Sequence, residues 1–389
     1  MRRIVFGIHQ SPSLNFSNSG FALKQREILN AKAFAEFFPE NNQRRIKITS
    51  AWFPKNEKNF ASFIRKKVMN FFSNRVTDIF GTRYPVALGP MRQITLGAMA
   101  GAVSAAGGFG QIAASGLEKE ELKREIDIAR AVTDRPVGVN IPVYRPNALE
   151  ALEAVIEAGV KTITTSAGNP AKIMDRAKQA DLKVVHKVSN VAMGKKAQDA
   201  GVDAVIAMGF EAGGHVGREK ITTMCLVPQL VDALSIPVIA AGGIADARGV
   251  VAAFALGAEG VEIGTRFVAT AQAPVPEFFK EMIAAAECDA TLLLGQDAMP
   301  IRVMRNAVTA MVAGMDQAEA DRKMIASGDA TYIQSGGNAD TAVMPCGQIA
   351  GLVRTITDVA AVMDEMTTGA AGLSRNLAAI FHFEEHHDG

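Results

Sequence analysis

The chain has little cysteine, few aromatic residues other than phenylalanine, and almost no net charge. Its 389 residues include three cysteines, one tryptophan and three tyrosines, with 41 Lys and Arg against 40 Asp and Glu. Cys225, Cys288 and Cys346 stand far apart and match no metal-ligand spacing. So sparse and odd a count excludes a disulfide framework and fits a reducing compartment, with burial the expected role of each thiol. Balanced charge gives no basis for binding nucleic acid or an acidic membrane surface. No apolar run reaches the length of a transmembrane helix, and the apolar stretch in MRRIVFGIHQ is too short for a secretory signal. The expectation is a soluble, cytoplasmic protein. No cysteine or serine lies in a nucleophile motif, and no set of His, Asp and Glu has convincing metal spacing. The three histidines of the tail FHFEEHHDG read as a solvated end.

What is present is apolar and glycine-rich: 48% hydrophobic residues and 35 glycines, enough for a large core and many tight turns. The neutral total hides a break. Residues 1–80 hold 14 Lys and Arg against 5 Asp and Glu, with 12 of the 20 phenylalanines and only 2 of the glycines. This stretch shows no clean period and carries helix-breaking clusters such as SPSLNFSNSG. Residues 1–68 are therefore expected to be an extension outside the fold, dispensable to it, and Met69 opens a natural start for the folded body.

From Tyr84 onward short β-rich runs alternate with helical patterns. The runs are YPVALGPM (84–91), FGQIAAS (109–115), RPVGVNIPV (135–143), KTITTSAG (161–168), LKVVHKVS (182–189), DAVIAMGFE (203–211), IPVIAAGGI (236–244) and GVEIGTRF (260–267). Most are near-continuously apolar, as strands buried on both faces should be. Between them, stretches such as 118–133, 147–159 and 245–257 place apolar residues at three- and four-residue spacing with a charged outer face. Successive runs start roughly 21 to 33 residues apart, the size of one βα unit. Eight units in a row predict a closed (β/α)8 TIM barrel. The runner-up is a doubly wound open sheet. Its Gly-x-Gly-x-x-Gly turn is absent, because the first run is followed by GPMRQI. Residues 271–345 look helical, through VPEFFKEMIAAAE and IRVMRNAVTAMVAG, and predict a small helical cap after the eighth strand. CGQIAGLVRTITDVAAVMDEMTTG then predicts one or two helices returning to the barrel.

Active sites of such barrels form at the carboxyl ends of the strands, often with a phosphate held after strands 7 and 8. Both places carry small residues here: AAGGIAD (240–246) and IGTRF (263–267). Gly242, Gly243 and Gly264 either make tight turns or leave backbone N–H groups free for phosphate oxygens, with Thr265 adding a hydroxyl. FEAGGHVG (210–217) lifts His215 off the sixth strand on a pliable turn, as a surface loop histidine or as an acid/base group beside a bound cofactor. Asn140, inside an apolar strand, is either a satisfied core amide or a hydrogen-bond partner for a flavin ring edge. Lys187 has the sharper case, because a lysine directed into a barrel mouth is costly unless something anionic meets it, such as a reduced flavin or a phosphate.

At these residues a resemblance becomes specific. LGPM, GVNIP, SAGNP, HKV, FEAGGHVG, LVPQLVDAL, IPVIAAGGIADARG and GTRF occur in order. Together they resemble the nitronate monooxygenase (2-nitropropane dioxygenase) family, which includes the similar FMN-dependent enoyl-ACP reductase II. The match runs from about Val76 to about Gly372. The resemblance implies an FMN-bound barrel in which the flavin contacts Gly89, Pro90, Met91, Asn140, Lys187, Gly213, Gly214, Gly242, Gly243, Gly264 and Thr265. His215 falls on the family's active-site histidine, and no metal is implied. Arg92 and Gln93 depart from the apolar or aromatic pair that many relatives carry there, and residues 1–68 match nothing in the family. The expected division is an extension (1–68), an FMN-binding barrel (69–270), a helical cap (271–345) and C-terminal helices (346–389).

Two chemistries fit this bed. An alkyl nitronate gives an electron to FMN and reacts with O2, ending as a carbonyl compound and nitrite, with His215 deprotonating a neutral nitroalkane or hydrogen-bonding the nitronate. Alternatively NAD(P)H reduces FMN, which passes hydride to an enoyl thioester, with an acyl carrier protein as a partner. Electron transfer from NADH to quinones is a third reading, and a non-enzymatic flavin or phosphate binder a fourth. The family as a whole leans to the monooxygenase, while TTMCLVPQLVDAL and CGQIAGLV lean to the reductase. The oligomeric state stays open.

Overall fold

The computed structural model describes residues 73–295, 300–326 and 338–380. The extension 1–68 and the histidine-bearing tail lie outside the described residues. Each of the eight apolar runs contains one strand of a single parallel sheet: β1 (Val86–Leu88), β2 (Gly110–Ala113), β3 (Val137–Pro142), β4 (Thr162–Ser166), β5 (Lys183–Val188), β6 (Ala204–Met208), β8 (Val238–Ala241) and β9 (Gly260–Ile263). A two-residue strand, β7 (Gly214–His215), stands outside this sheet. Neighbours pair in sequence order, and β9 returns to β1 with Val86 opposite Val261. A parallel bridge between Ala87 and Phe109 joins β1 to the β2 side and closes the ring. The fold is a (β/α)8 barrel.

The helices between strands follow the expected patterns with trimmed ends: α1 (Arg75–Phe80), α2 (Gly97–Ala105), α3 (Lys119–Val132), α4 (Ala148–Glu157), α5 (Ala171–Gln179), α6 (Val191–Ala200), α7 (Thr223–Ala233) and α8 (Ala247–Ala255). The trimming has local causes. The Asn190 side chain accepts the Met193 N–H at 2.8 Å to start α6, and Gly201 ends it at φ 86°.

Alternation divides each strand between two cores. Val184, Val205, Ala207, Val238 and Ala240 join the layer between sheet and helices, while Val185, Ile206, Ile239 and Ala241 point the other way, into the barrel. The inner cluster is completed from below by Val76 and Phe80 of α1 and by Phe109. The Phe80 and Phe109 rings stack with centroids 4.0 Å apart and nearly parallel. Gly138 makes room for them, since a Cβ there would stand 2.1 Å from Phe109 Cζ. The amino end of the barrel is thus filled with apolar side chains, which leaves the carboxyl end as the place for a site.

Beyond β9 the chain forms α9 (Thr265–Val268), α10 (Glu277–Ala284), a hairpin of β10 (Thr291–Leu294) and β11 (Ile301–Met304), α11 (Ala307–Val312) and α12 (Gln317–Ala326). The hairpin differs from the helix expected at IRVM. Isolated apolar periodicity over four residues fits either structure, and here tertiary pairing decides: β11 lies between β10 and β7. Phe279, Ile283, Met304, Met344 and Cys346 share a core with Ile94 and Ala245, which belong to the loops after β1 and β8. That packing seats the segment on the carboxyl-end loops. A 3-10 turn (Gln348–Leu352), α13 (Val359–Asp364) and α14 (Ala370–Ile380) follow, and Val359, Val362, Met363, Met366 and Ala370 enter the outer barrel core.

Of the three cysteines only Cys346 is buried, while Cys225 and Cys288 are exposed, the first within α7 and the second in the loop after α10. No helix among the described residues is long and apolar enough to cross a membrane.

Candidate active site

Above the apolar plug, the barrel interior turns polar. Gln111, Asn140, Thr164 and Glu262 are all buried, on four different strands. The Ser166 hydroxyl donates to Asn140 Oδ1 at 3.4 Å, and Asn140 Nδ2 donates to Thr164 Oγ1 at 2.9 Å. Thr164 Oγ1 donates to Gln111 Oε1 at 2.5 Å, and Gln111 Nε2 donates to Leu88 O and, at 3.3 Å, to Glu262 Oε2. Lys187 Nζ completes the chain by pairing with Glu262 Oε1. Asn140 is therefore a satisfied interior amide. The anion that meets Lys187 is supplied by the protein itself, so a bound anion is not required to balance that charge. A buried carboxylate–ammonium pair persists only where its other atoms are also hydrogen-bonded, and the Gln111 amide meets that need.

Gly89, Pro90 and Met91 follow β1, Gly242 and Gly243 follow β8, and Gly264 and Thr265 follow β9, so the fold gathers them on one side of the mouth. Their glycines do different work. A Cβ at Gly89 would lie 3.3 Å from Gly264 Cα, at Gly242 2.9 Å from Ala212 N, and at Gly213 2.7 Å from Gly347 N, so all three serve backbone packing. Gly264 and Gly243 are different. A Cβ at Gly264 would meet only Met91 Sδ, at 3.7 Å, and one at Gly243 only Glu211 atoms, from 3.5 Å. Gly242 and Gly243 both adopt left-handed backbone (φ 91° and 75°), which glycine tolerates without strain. Two glycine backbones without a close neighbour on the Cβ side, at the ends of the seventh and eighth barrel strands, fit a phosphate held by N–H groups. Thr265 is partly committed, since its Oγ1 accepts the Gly347 N–H at 2.9 Å. Across the ring, on the turn after β3, Arg145 Nε is buried with no hydrogen-bond partner, and its guanidinium lies 5.1 Å from the ring centroid of exposed Tyr144.

The FEAGGHVG loop is tied down at several points. The Glu211 carboxylate accepts the Thr223 N–H at 2.9 Å and its hydroxyl at 3.0 Å, anchoring the loop to the start of α7. Gln348 N donates to Glu211 O at 2.9 Å. Gly214 and His215 pair with Arg302 and Ile301 of β11, and Val216 N donates to Pro300 O at 3.0 Å. His215 is exposed at the rim, yet partial desolvation by the packed loops holds its imidazole below the ordinary pKa. A neutral ring at physiological pH can accept a proton. The Cys346 thiol, in the segment packed against Gly213, is pushed up to about 12 by burial and offers no nucleophile.

His186 is the other perturbed imidazole. It is 1% exposed, its Nδ1 lies 2.7 Å from Thr165 Oγ1, and burial lowers its pKa to about 4. A folded-state value below the unfolded one makes the neutral ring a stabilising feature that is complete above about pH 6.5 and lost as pH falls toward 4. A shift of this size corresponds to about 3 kcal/mol. Urea unfolding of the wild type and of His186→Asn is expected to show an acid loss larger by about that amount in the wild type. Parallel pH profiles for the two proteins would show that this ring titrates normally.

Reading the sequence alone passes over Glu262, Gln111, Thr164 and Arg302. An acid in the otherwise apolar GVEI, on the inward phase of the strand, was a usable signal for Glu262. Arg302 left none, because its role depends on β11 lying against the loop.

Comparison with known proteins gives a consistent picture. A family model described as nitronate monooxygenase matches residues 73–369. The (3aS,4S,5R,7aS)-5-hydroxy-7a-methyl-1-oxo-octahydro-1H-indene-4-carboxyl-CoA dehydrogenase of Mycobacterium tuberculosis is 36% identical over 211 residues, covering 53% of this chain and 59% of the relative. A protein named probable nitronate monooxygenase, from Staphylococcus saprophyticus, is 33% identical over 234 residues, covering 49% of this chain and 66% of its own length. The matches thus span somewhat over half the length of these curated relatives. Among solved structures, FabK from Thermotoga maritima superposes with a TM-score of 0.75 at 35% identity, covering 79% of this chain and 99% of that one. Nitroalkane oxidase from Streptomyces ansochromogenes shares the fold, with a TM-score of 0.67 at 24% identity over 78% of this chain and all of that one.

Proposed function

This chain belongs to the nitronate monooxygenase family, and from that membership we propose that it is an FMN-dependent oxidoreductase that oxidises alkyl nitronates with O2 to carbonyl compounds and nitrite. The observation that carries the reading is that a Cβ at Gly243 or Gly264 would meet no clash, only ordinary contacts with Glu211 and Met91, on the rim that also holds His215. Bound FMN would supply the redox chemistry, taking an electron from the nitronate and passing reducing equivalents to O2. Backbone N–H groups beside Gly243 and Gly264 would hold its phosphate. Asn140 and Lys187 lie deeper, where the polar chain through Thr164, Gln111 and Glu262 fixes both side chains before anything binds. Such a rigid support keeps polar groups aimed without reorganisation. His215, neutral and accessible, takes the proton α to the nitro group or hydrogen-bonds the nitronate.

A second reading, NAD(P)H-dependent reduction of an enoyl thioester by the same bed, is favoured by the coenzyme A thioester named for the Mycobacterium tuberculosis relative. One experiment separates them. The purified protein is mixed anaerobically with propyl-2-nitronate, NADH and NADPH in separate cuvettes, and the flavin absorbance is followed. Bleaching by the nitronate, with nitrite released on admitting air, is the expected result. Bleaching by a nicotinamide alone favours the thioester reading, and protein that takes up no FMN on reconstitution defeats both.

A further inference from the structure

His215 has no side-chain hydrogen bond among the described residues, so the placement of its imidazole depends on the backbone that carries it. Three segments converge on that backbone: α7 through Glu211, the return segment through Gly347 and Gln348, and β11. The β11 contact centres on one side chain. Arg302 is 3% exposed, and its Nε and Nη2 both donate to Phe210 O, at 3.2 and 3.0 Å. Its guanidinium lies 4.7 Å from the centroid of the Phe210 ring, and Nη1 reaches Thr291 Oγ1 at 3.4 Å. Its backbone pairs with Gly214, and its carbonyl accepts the Cys346 N–H at 3.2 Å.

A buried guanidinium is costly to desolvate. The partners here are neutral oxygens and a ring face, with Glu211 contributing attraction from farther off. Apolar residues would have filled this place in the cap at no such cost. What arginine adds is geometry: a planar fork that clamps one carbonyl with two N–H groups, stacks on an aromatic ring and keeps a third donor for a different strand. The carbonyl and ring both belong to Phe210, the first residue of the loop. The backbone of the same arginine holds Gly214, next to the histidine. One residue therefore grips both ends of the segment 210–214 and ties it to β10 through Thr291.

We infer that Arg302 is a positioning residue for His215, coupling the placement of the imidazole to the seating of the β10–β11 hairpin. The inference rests on the acid/base reading of His215. Displacing a catalytic group by about 1 Å can cost on the order of 10²-fold in rate, so removal of the clamp acts on turnover more than on binding. The test is a double-mutant cycle on FMN-loaded protein, with propyl-2-nitronate as substrate, or NAD(P)H where that is the donor that bleaches the flavin. Arg302→Met is expected to lower kcat by roughly 10- to 100-fold with KM and flavin content near wild type. Added to His215→Ala it is expected to cost nothing further. Arg302→Lys, which keeps the charge but not the fork, is expected to fall between, and stands in if the methionine variant does not fold. A kcat within twofold of wild type for both variants, or the same loss with and without His215, overturns the inference. A near-wild-type rate for His215→Ala alone overturns instead the reading beneath it.

Discussion

Replacing His215 by alanine is expected to leave a yellow, folded protein that has lost about 10²- to 10⁴-fold in turnover, the usual contribution of a positioned acid/base group. The structure gives reasons for both halves of that expectation. The ring lies at the exposed rim, outside the barrel core, so the substitution opens no buried cavity. The loop stays in place through backbone contacts to β11 and α7, which alanine retains. The pH dependence follows from the direction of the shift. Desolvation lowers the pKa of His215, so the neutral base form persists below the ordinary imidazole range. Activity that needs the neutral ring is therefore complete at neutral pH and lost as pH falls through that lowered value. The acid limb of kcat/KM should lie below pH 6.5 and disappear in the variant. Kinetics near wild type in the alanine variant would mark His215 as a loop residue.

Gly264→Val is expected to give a colourless protein with an intact fold. This position separates ligand binding from folding better than the other glycines of the mouth. Its backbone (φ −109°) lies outside the left-handed region, and an added Cβ meets only Met91 Sδ at 3.7 Å, an ordinary contact. A valine side chain then projects into the space assigned to the phosphate. The outcome should be at least a roughly tenfold fall in bound FMN with matching loss of activity, while the flavin-free proteins unfold at similar temperatures. Gly213 gives no such separation, since a side chain there strikes Gly347 and Cys346. Wild-type flavin stoichiometry in Gly264→Val would remove the phosphate assignment.

The barrel was legible because its signal is repeated. Eight β-rich runs, most of them near-continuously apolar and alternating with helical patterns, survive an error in any one of them, and every run does contain one barrel strand. The glycine turns and the histidine loop were legible for a similar reason, since they recur at the strand ends where such folds place their sites. Less legible was what each residue touches. Lys187 looked like a charge awaiting a ligand because its partner, Glu262, is 75 residues away in sequence and adjacent only once the ring closes. IRVM read as helix because four residues cannot reveal an antiparallel neighbour.

Local patterns along the chain were enough to set the fold class, the eight strands, the small residues at the seventh and eighth strand ends, and a histidine on a loop at the sixth. These depend on local periodicity and composition, which act through the chain's immediate neighbours. Long-range packing alone sets the plug of Phe80 and Phe109 in the lower barrel, the neutralisation of Lys187 by Glu262, the clash-free room at Gly264 against the backbone contact at Gly213, and the grip of Arg302 on the histidine loop. Each of these is a pairing between residues far apart in the chain. Burial, charge compensation and steric room belong to such pairs, so they exist only after closure of the ring and docking of the cap have brought the partners together.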